Sequence, residues 1–326
     1  MRAAVFDSYG PPEVLRVGDV AVPSPRPGEV LVKVYATSAN GGDIAARSGT
    51  LRLLTGSSFP KRTGVEFTGE VAATADLTAP WSVGDRVWGV LPRSQYARGG
   101  GGSAAEYVAV PISKISELPA TVDPVEAAGL LAGGTTGLKG LRDVAGLRRG
   151  ERLLVTGANG GVGSVAVQLG KALGAHVTGY GNAAARERLT VLGADEFVDH
   201  RVVPPSALGA FDVVFDTTGT RLEELRRLLS PGGRMVSIAA RGGRPIAQLV
   251  ASQARGPRRI RFFSGDPGSA ALGDLARFVE RGQIVPVTAA VHDLDAIADA
   301  HRALEGRGVV GKHIVQVSPP APAGRA

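Results

Sequence analysis

A glycine-rich turn at residues 156–163 constrains the fold more than any other feature of this 326-residue sequence. It reads Thr-Gly-Ala-Asn-Gly-Gly-Val-Gly; an apolar, strand-like segment (151–157) leads into it, and a segment of helical pattern (161–173) follows. Glycines let the backbone turn tightly and approach a pyrophosphate, and the N-terminus of the following helix offers free N–H groups to that anion. The G-x-x-G-x-x-G spacing in this context indicates a dinucleotide site; a tight turn without a ligand is the alternative.

Strands and helices alternate along the chain around this turn. The pattern predicts strands at 151–157, 175–180, 211–216, 234–239 and 259–264, and helices at 161–173, 183–192 and 222–229. A further helix at 125–144, broken near Gly133-Gly134, precedes them. This alternation is typical of the α/β class, with a Rossmann-type, doubly wound parallel sheet.

The two ends of the chain have a different pattern. Alternation of apolar and polar residues predicts strands at 29–36, 65–73, 85–90 and 105–110, and the C-terminal part predicts helices at 270–281 and 294–304 and a strand at 313–317. We therefore predict a β-rich domain over residues 1–120, a dinucleotide-binding domain over 121–266, and a return to the first domain over 267–326.

The end of the second strand in the dinucleotide domain selects the cofactor. Domains that bind NAD place an Asp or Glu there to hold the ribose 2′-hydroxyl. This strand ends at 177–182 without a carboxylate, and Asn182 and Arg186 follow. An Arg can pair with a 2′-phosphate, so we predict NADPH as the cofactor. An ordinary surface charge is the alternative for Arg186, and Arg188 is a weaker candidate of the same kind.

Composition excludes several kinds of chemistry. With no cysteine, the chain has no disulfide, thiol nucleophile or cysteine-bound zinc, and its five histidines show no metal-binding spacing. The net charge of +7 fits an anionic cofactor or an Arg-rich composition; the basic stretch 255–261 is interpreted as a solvated loop, with nucleic acid or an anionic ligand as alternatives.

No apolar run approaches the ~18 residues of a membrane span, and the first residues lack signal-peptide features. We predict a cytoplasmic protein.

Several ordered stretches resemble a known family. Among them are Tyr-Gly-Pro-Pro-Glu-Val-Leu at 9–15, Ala-Asn-Gly-Gly-Asp at 39–43, Gly-Val-Glu-Phe-Thr-Gly at 64–69, Val-Gly-Asp-Arg-Val-Trp-Gly at 83–89, and the Gly-Lys pair at 311–312. Through them the chain resembles the medium-chain dehydrogenase/reductase superfamily, in its zinc-free NADPH:quinone oxidoreductase-like branch. The resemblance implies a GroES-like catalytic domain built from both chain ends. Zinc-dependent relatives carry a Cys at the position of Asn40 and a His-Glu pair at Val65-Glu66, so the resemblance implies no metal site.

The resemblance also implies roles for individual residues. Gly160, Gly161 and Val162, in the same turn as Asn159, would cradle the pyrophosphate, and Asn182, Arg186 and His200 would hold the 2′-phosphate, although His200 is equally an ordinary surface histidine. The remaining implied cofactor contacts are Thr135, Ile238, Phe263 and Lys312. Relatives dimerise along a strand matching 260–264, so a homodimer is expected.

Catalysis without a metal favours conjugated acceptors, because hydride addition gives an enolate or quinol anion that hydrogen-bond donors can stabilise. Asn40 is the first candidate donor, with a turn-stabilising role as the alternative; Asp43 is expected to orient a neighbour, and Tyr96 is a candidate proton donor. Lys61 and Arg62 are interpreted as solvated, with contact to an acidic or CoA-bearing substrate as the alternative. The run at 98–105, with four consecutive glycines, predicts a flexible surface connection or a mobile loop over the active site.

Three functions follow. The leading prediction is an NADPH-dependent, metal-free reductase of a quinone or an α,β-unsaturated carbonyl compound. The second is a zinc-free carbonyl reductase or a tailoring enzyme for a polyketide-like intermediate. The third is a non-catalytic NADPH-binding or RNA-binding protein, for which the basic stretch 255–261 is the specific support.

Overall fold

The computed structural model describes residues 1–76, 80–97, 101–240, 242–263, 265–306 and 308–320, without the side chains of residues 96, 97, 255 and 257. The strands, in chain order, are β1 (Arg2–Phe6), β2 (Arg16–Asp19), β3 (Glu29–Ser38), β4 (Lys61–Arg62), β5 (Glu66–Thr74), β6 (Arg86–Val90), β7 (Tyr107–Pro111), β8 (Ile115–Glu117), β9 (Arg152–Thr156), β10 (His176–Gly181), β11 (Glu196–Asp199), β12 (Phe211–Asp216), β13 (Leu229–Ser237), β14 (Ile260–Phe262), β15 (Thr288–Asp293) and β16 (Lys312–Gln316).

The α-helices are α1 (Gly41–Arg47), α2 (Arg52–Thr55), α3 (Arg93–Ala97), α4 (Pro124–Ala127), α5 (Leu131–Leu138), α6 (Gly161–Ala172), α7 (Arg186–Val191), α8 (Leu222–Arg226), α9 (Gly243–Ser252), α10 (Ser269–Glu280) and α11 (Ile297–Glu305). A π-helical segment, Lys139–Val144, continues α5. Short 3-10 helices lie at Pro12–Val14, Ile112–Lys114, Ala183–Ala185, Pro205–Ala207, Gln253–Arg258 and Leu294–Ala296. None of these helices is long and apolar enough to cross a bilayer.

The chain divides into two compact units, and residues at both chain ends form the first. Unit 1 contains residues 1–132 and 266–326, and unit 2 contains residues 133–265. The division therefore places residues 121–132 and Asp266 in unit 1, whereas the sequence predicts a boundary at 121.

Unit 1 is built on two sheets. One has three strands in the order β2-β1-β4, and the other has seven, in the order β15-β16-β3-β5-β6-β8 with β7 paired to β3. β16 runs antiparallel to β3, with Ile314 opposite Ser38, so the C-terminal strand joins the sheet of the N-terminal segment. The inward side chains of this sheet form an apolar cluster that includes Val32, Phe67 and Ile115. Burial of such side chains is the main stabilising contribution to a sheet of this kind.

Unit 2 is a six-stranded parallel sheet in the order β11-β10-β9-β12-β13-β14. Numbered from its own first strand, this is 3-2-1-4-5-6, the doubly wound order in which ligands bind beyond the carboxyl ends of the strands. The predicted α/β class and Rossmann-type sheet are confirmed. The predicted strand 211–216 has the same bounds in the structure, and the others differ by a few residues.

The helix predicted at 125–144 differs from the structure at its glycines. It is interrupted after α4, whereas α5 runs through Gly133 and Gly134 without a break. A Cβ atom at Gly133 would lie 2.7 Å from the carbonyl oxygen of Gly161. The glycine therefore serves close packing against the start of α6, and the predicted break at this point is wrong.

Candidate cofactor site and buried polar cluster

The glycine-rich turn of unit 2 joins β9 to α6. Gly157 has a φ of +61°, a conformation that glycine adopts without strain. Its carbonyl oxygen accepts a hydrogen bond from Gly160 N at 2.9 Å, and Gly160 is the N-cap residue of α6. A Cβ atom at Gly163 would lie 2.1 Å from the Gly157 oxygen, so a side chain there would force the turn apart.

A cleft of about 400 Å³ lies at this turn, at the carboxyl ends of β9, β10 and β12. It brings together Asn159, Gly160 and His200 from the predicted cofactor residues. Tyr180, Thr217, Thr218, Thr220 and Arg221 also line it. The other predicted residues of this unit lie outside the lining: Thr135, Gly161, Val162, Asn182, Arg186, Ile238 and Phe263.

Asn182 lies directly after β10 and is held by several hydrogen bonds. Its backbone N–H donates to Asn159 Oδ1 at 3.2 Å, and its own Oδ1 accepts from Ala184 N at 3.1 Å. The guanidinium of Arg201 also donates to Asn182 Oδ1, at 3.0 Å, and pairs with Asp199 at 3.1 Å. Arg201 was not among the predicted cofactor residues, because it follows β11, a strand that the sequence pattern did not predict.

The side chain of Arg186 contacts Phe197. Its Nη1 donates to the Phe197 carbonyl oxygen at 2.8 Å, and its guanidinium lies 5.6 Å from the centre of the Phe197 ring. His200, by contrast, borders the cleft; its backbone N–H donates to Gly181 O at 3.0 Å, and its ring packs edge-on against Tyr180 with centroids 6.1 Å apart. Of the two arginines, Arg201 is therefore the one that contacts the Asn182 side chain, although it is also paired with Asp199.

Asp216 organises the end of β12 and was not predicted as a site residue. It is fully buried, and its carboxylate accepts hydrogen bonds from Thr156 Oγ1 at 2.6 Å, Ser237 Oγ at 2.7 Å and Gly219 N at 3.1 Å. Its Oδ1 also accepts from the backbone and hydroxyl of Thr218. These bonds tie three neighbouring parallel strands together beside the cleft. The sequence signal was a carboxylate at the end of an apolar strand, followed by Thr-Thr-Gly.

Three further predicted residues occupy separate positions in unit 2. Thr135 is buried within α5. Ile238 follows β13 and donates its backbone N–H to Asp216 O at 3.0 Å. Phe263 follows β14, with the ammonium of Lys139 5.5 Å from its ring centre. Each of the last two lies at the carboxyl end of a parallel strand, the edge at which ligands bind in this fold.

In unit 1, Asn40 and Lys312 meet at a fully buried carboxylate. Glu66 Oε1 accepts a hydrogen bond from Asn40 Nδ2 at 2.9 Å and forms an ion pair with Lys312 Nζ at 3.0 Å. Lys312 Nζ also donates to Asn40 Oδ1 at 2.5 Å and to Ala39 O at 3.3 Å. Ser38 Oγ and the backbone N–H of Ala132 complete the set of donors to Glu66. We call Asn40, Glu66 and Lys312 the buried polar cluster.

The contacts of Asn40 bear on its predicted role as a donor. Its Nδ2 donates to Glu66 and to Ser38 O, at 3.1 Å, so both amide N–H groups have an acceptor. The ammonium of Lys312 on Oδ1 polarises the amide and strengthens those donors. A substrate oxygen would have to replace one of the two acceptors.

Asp43 caps helix α1. It is buried; Oδ2 accepts from Asn40 N at 3.0 Å, and Oδ1 accepts from Gly64 N at 3.0 Å. Asn40 and Asp43 thus form a capping box at the start of α1. Burial raises the pKa of Asp43 to about 6, against the lowering effect of the Gly64 hydrogen bond and of the Lys312 charge. These contacts make Asp43 an organiser of the segment that carries Asn40.

Several other predictions about unit 1 can be compared with the structure. The side chain of Tyr96 and residues 98–100 lie outside the described part. Ser103, Ala104 and Ala105 are buried, so a flexible surface connection is wrong for this end of the run. Lys61 is also buried, which makes its predicted solvation wrong; its Nζ donates to Thr55 O at 2.8 Å and lies 4.8 Å from the Phe59 ring centre.

The basic stretch 255–261 forms part of the 3-10 helix Gln253–Arg258 and leads into β14. Arg258 and Arg259 are exposed, whereas Arg261 donates to the carbonyl oxygen of Val144. β14 is the edge strand of the sheet, and Phe262 on it is 51% exposed. Only part of this stretch is therefore free to meet a partner.

The turn of unit 2 fits a dinucleotide. Among the described residues other than its chain neighbours, the Gly157 oxygen is the only atom within 4 Å of a Cβ placed on Gly160, at 3.4 Å, so the face of Gly160 is open to an approaching group. The first N–H groups of α6 have no partner within the helix and suit a pyrophosphate there. Among the described residues, no group of three or more His, Asp or Glu side chains is arranged to hold a metal ion.

Comparison with known proteins places the chain in a family. The model described as "Alcohol dehydrogenase GroES-like domain" matches residues 26–120, and the one described as "Zinc-binding dehydrogenase" matches residues 192–315. The chain is 30% identical to the chloroplast envelope quinone oxidoreductase homolog of Arabidopsis thaliana, over 97% of this chain and 98% of the relative. The chain belongs to the medium-chain dehydrogenase/reductase superfamily, in its quinone oxidoreductase-like branch.

Two further relatives agree with this assignment. The 2-methylene-furan-3-one reductase of Solanum lycopersicum is 31% identical over 98% of this chain and 80% of its own length. The solved structure of the quinone oxidoreductase from Coxiella burnetii superposes with a TM-score of 0.87 at 27% identity, over 98% of this chain and 99% of that one. The predicted GroES-like domain is confirmed, and the chain is an oxidoreductase.

Proposed function

We propose that the chain is an NADPH-dependent, metal-free reductase that transfers hydride to a quinone or an α,β-unsaturated carbonyl compound. The observation that carries the proposal is the open glycine turn between β9 and α6 in a sheet of the order 3-2-1-4-5-6. Relatives named as a quinone oxidoreductase and as a reductase of a methylene-furanone support the class of acceptor.

The preference for NADPH rests on the residues after β10. Asn182 stands where a carboxylate would hold the 2′-hydroxyl of NADH, and Arg201 lies 3.0 Å from its side chain. We assign Asn182, Arg201 and His200 to the 2′-phosphate, because Arg201 already contacts Asn182; the phosphate would have to compete with Asp199 for its guanidinium. Arg186, which donates to the Phe197 carbonyl oxygen, is a second-rank contact. Gly160, Gly161 and Val162, with Asn159, hold the pyrophosphate through backbone N–H groups. Thr135, Ile238 and Phe263 are assigned to the nicotinamide half.

The chemistry assigned to this chain's residues is stabilisation of a developing anion. Bound NADPH supplies the hydride, which adds to an electrophilic carbon of the acceptor. The amide of Asn40, polarised by Lys312, donates to the oxygen that becomes negative, in place of its bond to Ser38 O. Glu66 keeps both groups in position and compensates the lysine charge. Asp43 holds the turn that carries Asn40.

The test is NADPH oxidation, with NADH in parallel, against quinones, enones and enoyl thioesters, in buffer with and without a chelator. We expect turnover on a conjugated acceptor, a preference for NADPH and no effect of the chelator. Asn40→Ala is expected to lower kcat while leaving the affinity for NADPH unchanged. Higher turnover with NADH, or activity lost to the chelator, contradicts the respective part of the proposal.

We also propose a cytoplasmic homodimer formed along β14. An edge strand carries unpaired backbone groups that a second copy can pair with, and the half-exposed Phe262 offers an apolar contact. Light scattering is expected to give twice the chain mass, and Phe262→Lys is expected to give the monomer. A monomeric parent protein at micromolar concentration contradicts the assignment.

A further inference from the structure

Unit 1 contains a cavity of about 550 Å³ whose lining does not include the buried polar cluster. Its volume lies within the range of roughly 300–1,000 Å³ typical of small-molecule sites. Part of its wall is apolar, formed by the buried Leu91 and Val108 and by proline side chains. The polar part contains Arg62, Arg26, Gln95 and Glu29. The lining thus combines a surface for an organic body with groups that recognise charge.

Arg62 is the distinctive group in this cavity. It is half-buried, and among the described residues its guanidinium has neither a hydrogen-bond acceptor nor an ion-pair partner. Burial lowers the pKa of Arg62. Its nitrogens keep some contact with solvent, so a ligand in the cavity can reach them, and partial burial strengthens their attraction for an anion. An anion in the cavity would supply the missing partner.

The backbone holds Arg62 in place before any ligand binds. Arg62 lies in β4, opposite Val5 of β1, next to the buried Lys61. On the other side, Gly102 packs so closely that a Cβ atom there would lie 2.4 Å from Thr63 O and 2.7 Å from Arg62 Cβ. The guanidinium therefore projects from a fixed base, which reduces the entropy lost on binding.

The other charged groups of the cavity define the ligand. Arg26 is exposed, so solvent screens the charge of its guanidinium. Lys114 is compensated by Asp266 at 2.7 Å and by two carbonyl oxygens, so it contributes little net attraction. The carboxylate of Glu29 accepts from Arg26 N at 3.0 Å and disfavours a highly charged ligand. A single carboxylate suits the planar, two-pronged guanidinium. We propose that this cavity binds an organic acid through Arg62, with an apolar body against Leu91 and Val108.

The probes are 3-phenylpropionate and its neutral isostere 3-phenylpropanamide, titrated by calorimetry and ligand-observed NMR on the full chain. We expect the acid to bind at least ten times more tightly than the amide. Arg62→Gln is expected to remove most of that difference, and Arg62→Lys to restore part of it. Arg52→Gln, an exposed arginine outside the cavity, is the matched control and is expected to bind like the parent.

Two further variants keep the proposal testable if Arg62→Gln does not fold. Glu29→Gln removes the repelling carboxylate and is expected to tighten binding of the acid several-fold. Arg201→Gln changes a cation of unit 2 and is expected to leave the binding unchanged, which separates this cavity from the cofactor site. Equal binding of acid and amide, or loss of binding in Arg201→Gln but not in Arg62→Gln, overturns the proposal.

Discussion

Replacement of Lys312 by methionine tests the buried polar cluster most directly. In the ion pair of Lys312 with Glu66, the side chains are 7% and 0% exposed, and the charged atoms lie 3.0 Å apart. Lys312→Met keeps the apolar stem but leaves the Glu66 charge buried without a counter-ion. Removal of one partner of such a pair costs about 3–5 kcal/mol in the free energy of unfolding.

The same sheet offers a matched control. Lys33 and Glu70 pair across β3 and β5 at 3.4 Å, with side chains that are 37% and 19% exposed. Because solvent screens this pair, Lys33→Met is expected to cost about 0–1 kcal/mol. The double variant Lys312→Met/Glu66→Met removes both buried charges and is expected to recover part of the loss caused by Lys312→Met alone. The recovery is incomplete because Ser38, Asn40 and Ala132 lose the acceptor of their hydrogen bonds.

Urea unfolding followed by tryptophan fluorescence reports these changes in stability from unit 1, which contains both ion pairs. Both tryptophans of the chain, Trp81 and Trp88, lie in unit 1, and Trp88 is fully buried with its indole N–H on Ser116 Oγ at 2.8 Å. The transition midpoint of Lys312→Met should fall well below that of Lys33→Met. If the two variants lose the same stability, Lys312 does not compensate the buried charge of Glu66.

Three other perturbations follow from the structure. Arg201→Gln should raise the KM for NADPH about 10–100-fold, because one charge-assisted contact is lost, and should leave the KM for NADH unchanged. Arg186→Gln should raise the KM for NADPH less. If Arg186→Gln has the larger effect, Arg186 is the main contact of the 2′-phosphate. Gly163→Ala brings a Cβ within 2.1 Å of the Gly157 oxygen, so NADPH binding measured by fluorescence should be lost. Burial lowers the pKa of His301 to about 4 from 6.5, so the unfolded state takes up the proton first as pH falls. Stability should therefore decrease between pH 6.5 and 4, by up to roughly 3 kcal/mol, and His301→Gln should remove that part of the pH dependence in urea titrations at each pH.

The parallel sheet and its turn could be predicted from the sequence because their signals are local. The segment 151–173 contains the strand, the turn and the helix in one continuous stretch, and the apolar run 211–216 matches β12 residue for residue. The role of Gly133, by contrast, depends on a contact between two helices. A glycine in a helical pattern usually suggests a weak point or a break in the helix, yet here its missing side chain allows α5 to approach the Gly161 carbonyl. Only tertiary contact distinguishes the two uses of the residue.

The buried polar cluster could be predicted only in part. Asn40 and Lys312 were candidates, but they are 272 positions apart, and no periodicity shows that Glu66 joins them. The resemblance placed Glu66 at a position of the zinc-dependent relatives without giving it a role here. Lys61 was predicted to be solvated but is buried. Charged residues are seldom buried unless paired, and the acceptor of Lys61, Thr55 O, is a backbone group that gives no signal in the sequence.

In each unit, a fully buried carboxylate collects several donors at the predicted site. Glu66 collects a hydroxyl, an amide, a backbone N–H and the ammonium of Lys312, while Asp216 collects hydroxyl and backbone N–H groups from β9, β13 and the turn after β12. Because Glu66 is compensated by a charge, its substitution leaves a buried cation and should damage stability and activity together. Asp216 has no cationic partner among the described residues, so Asp216→Asn leaves no uncompensated cation. Its main effect should be on the residues that Asp216 holds in position at the cleft. For Asp216→Asn we therefore expect the free energy of NADPH binding to change more than the free energy of unfolding. For Glu66→Gln we expect the free energy of unfolding to change more.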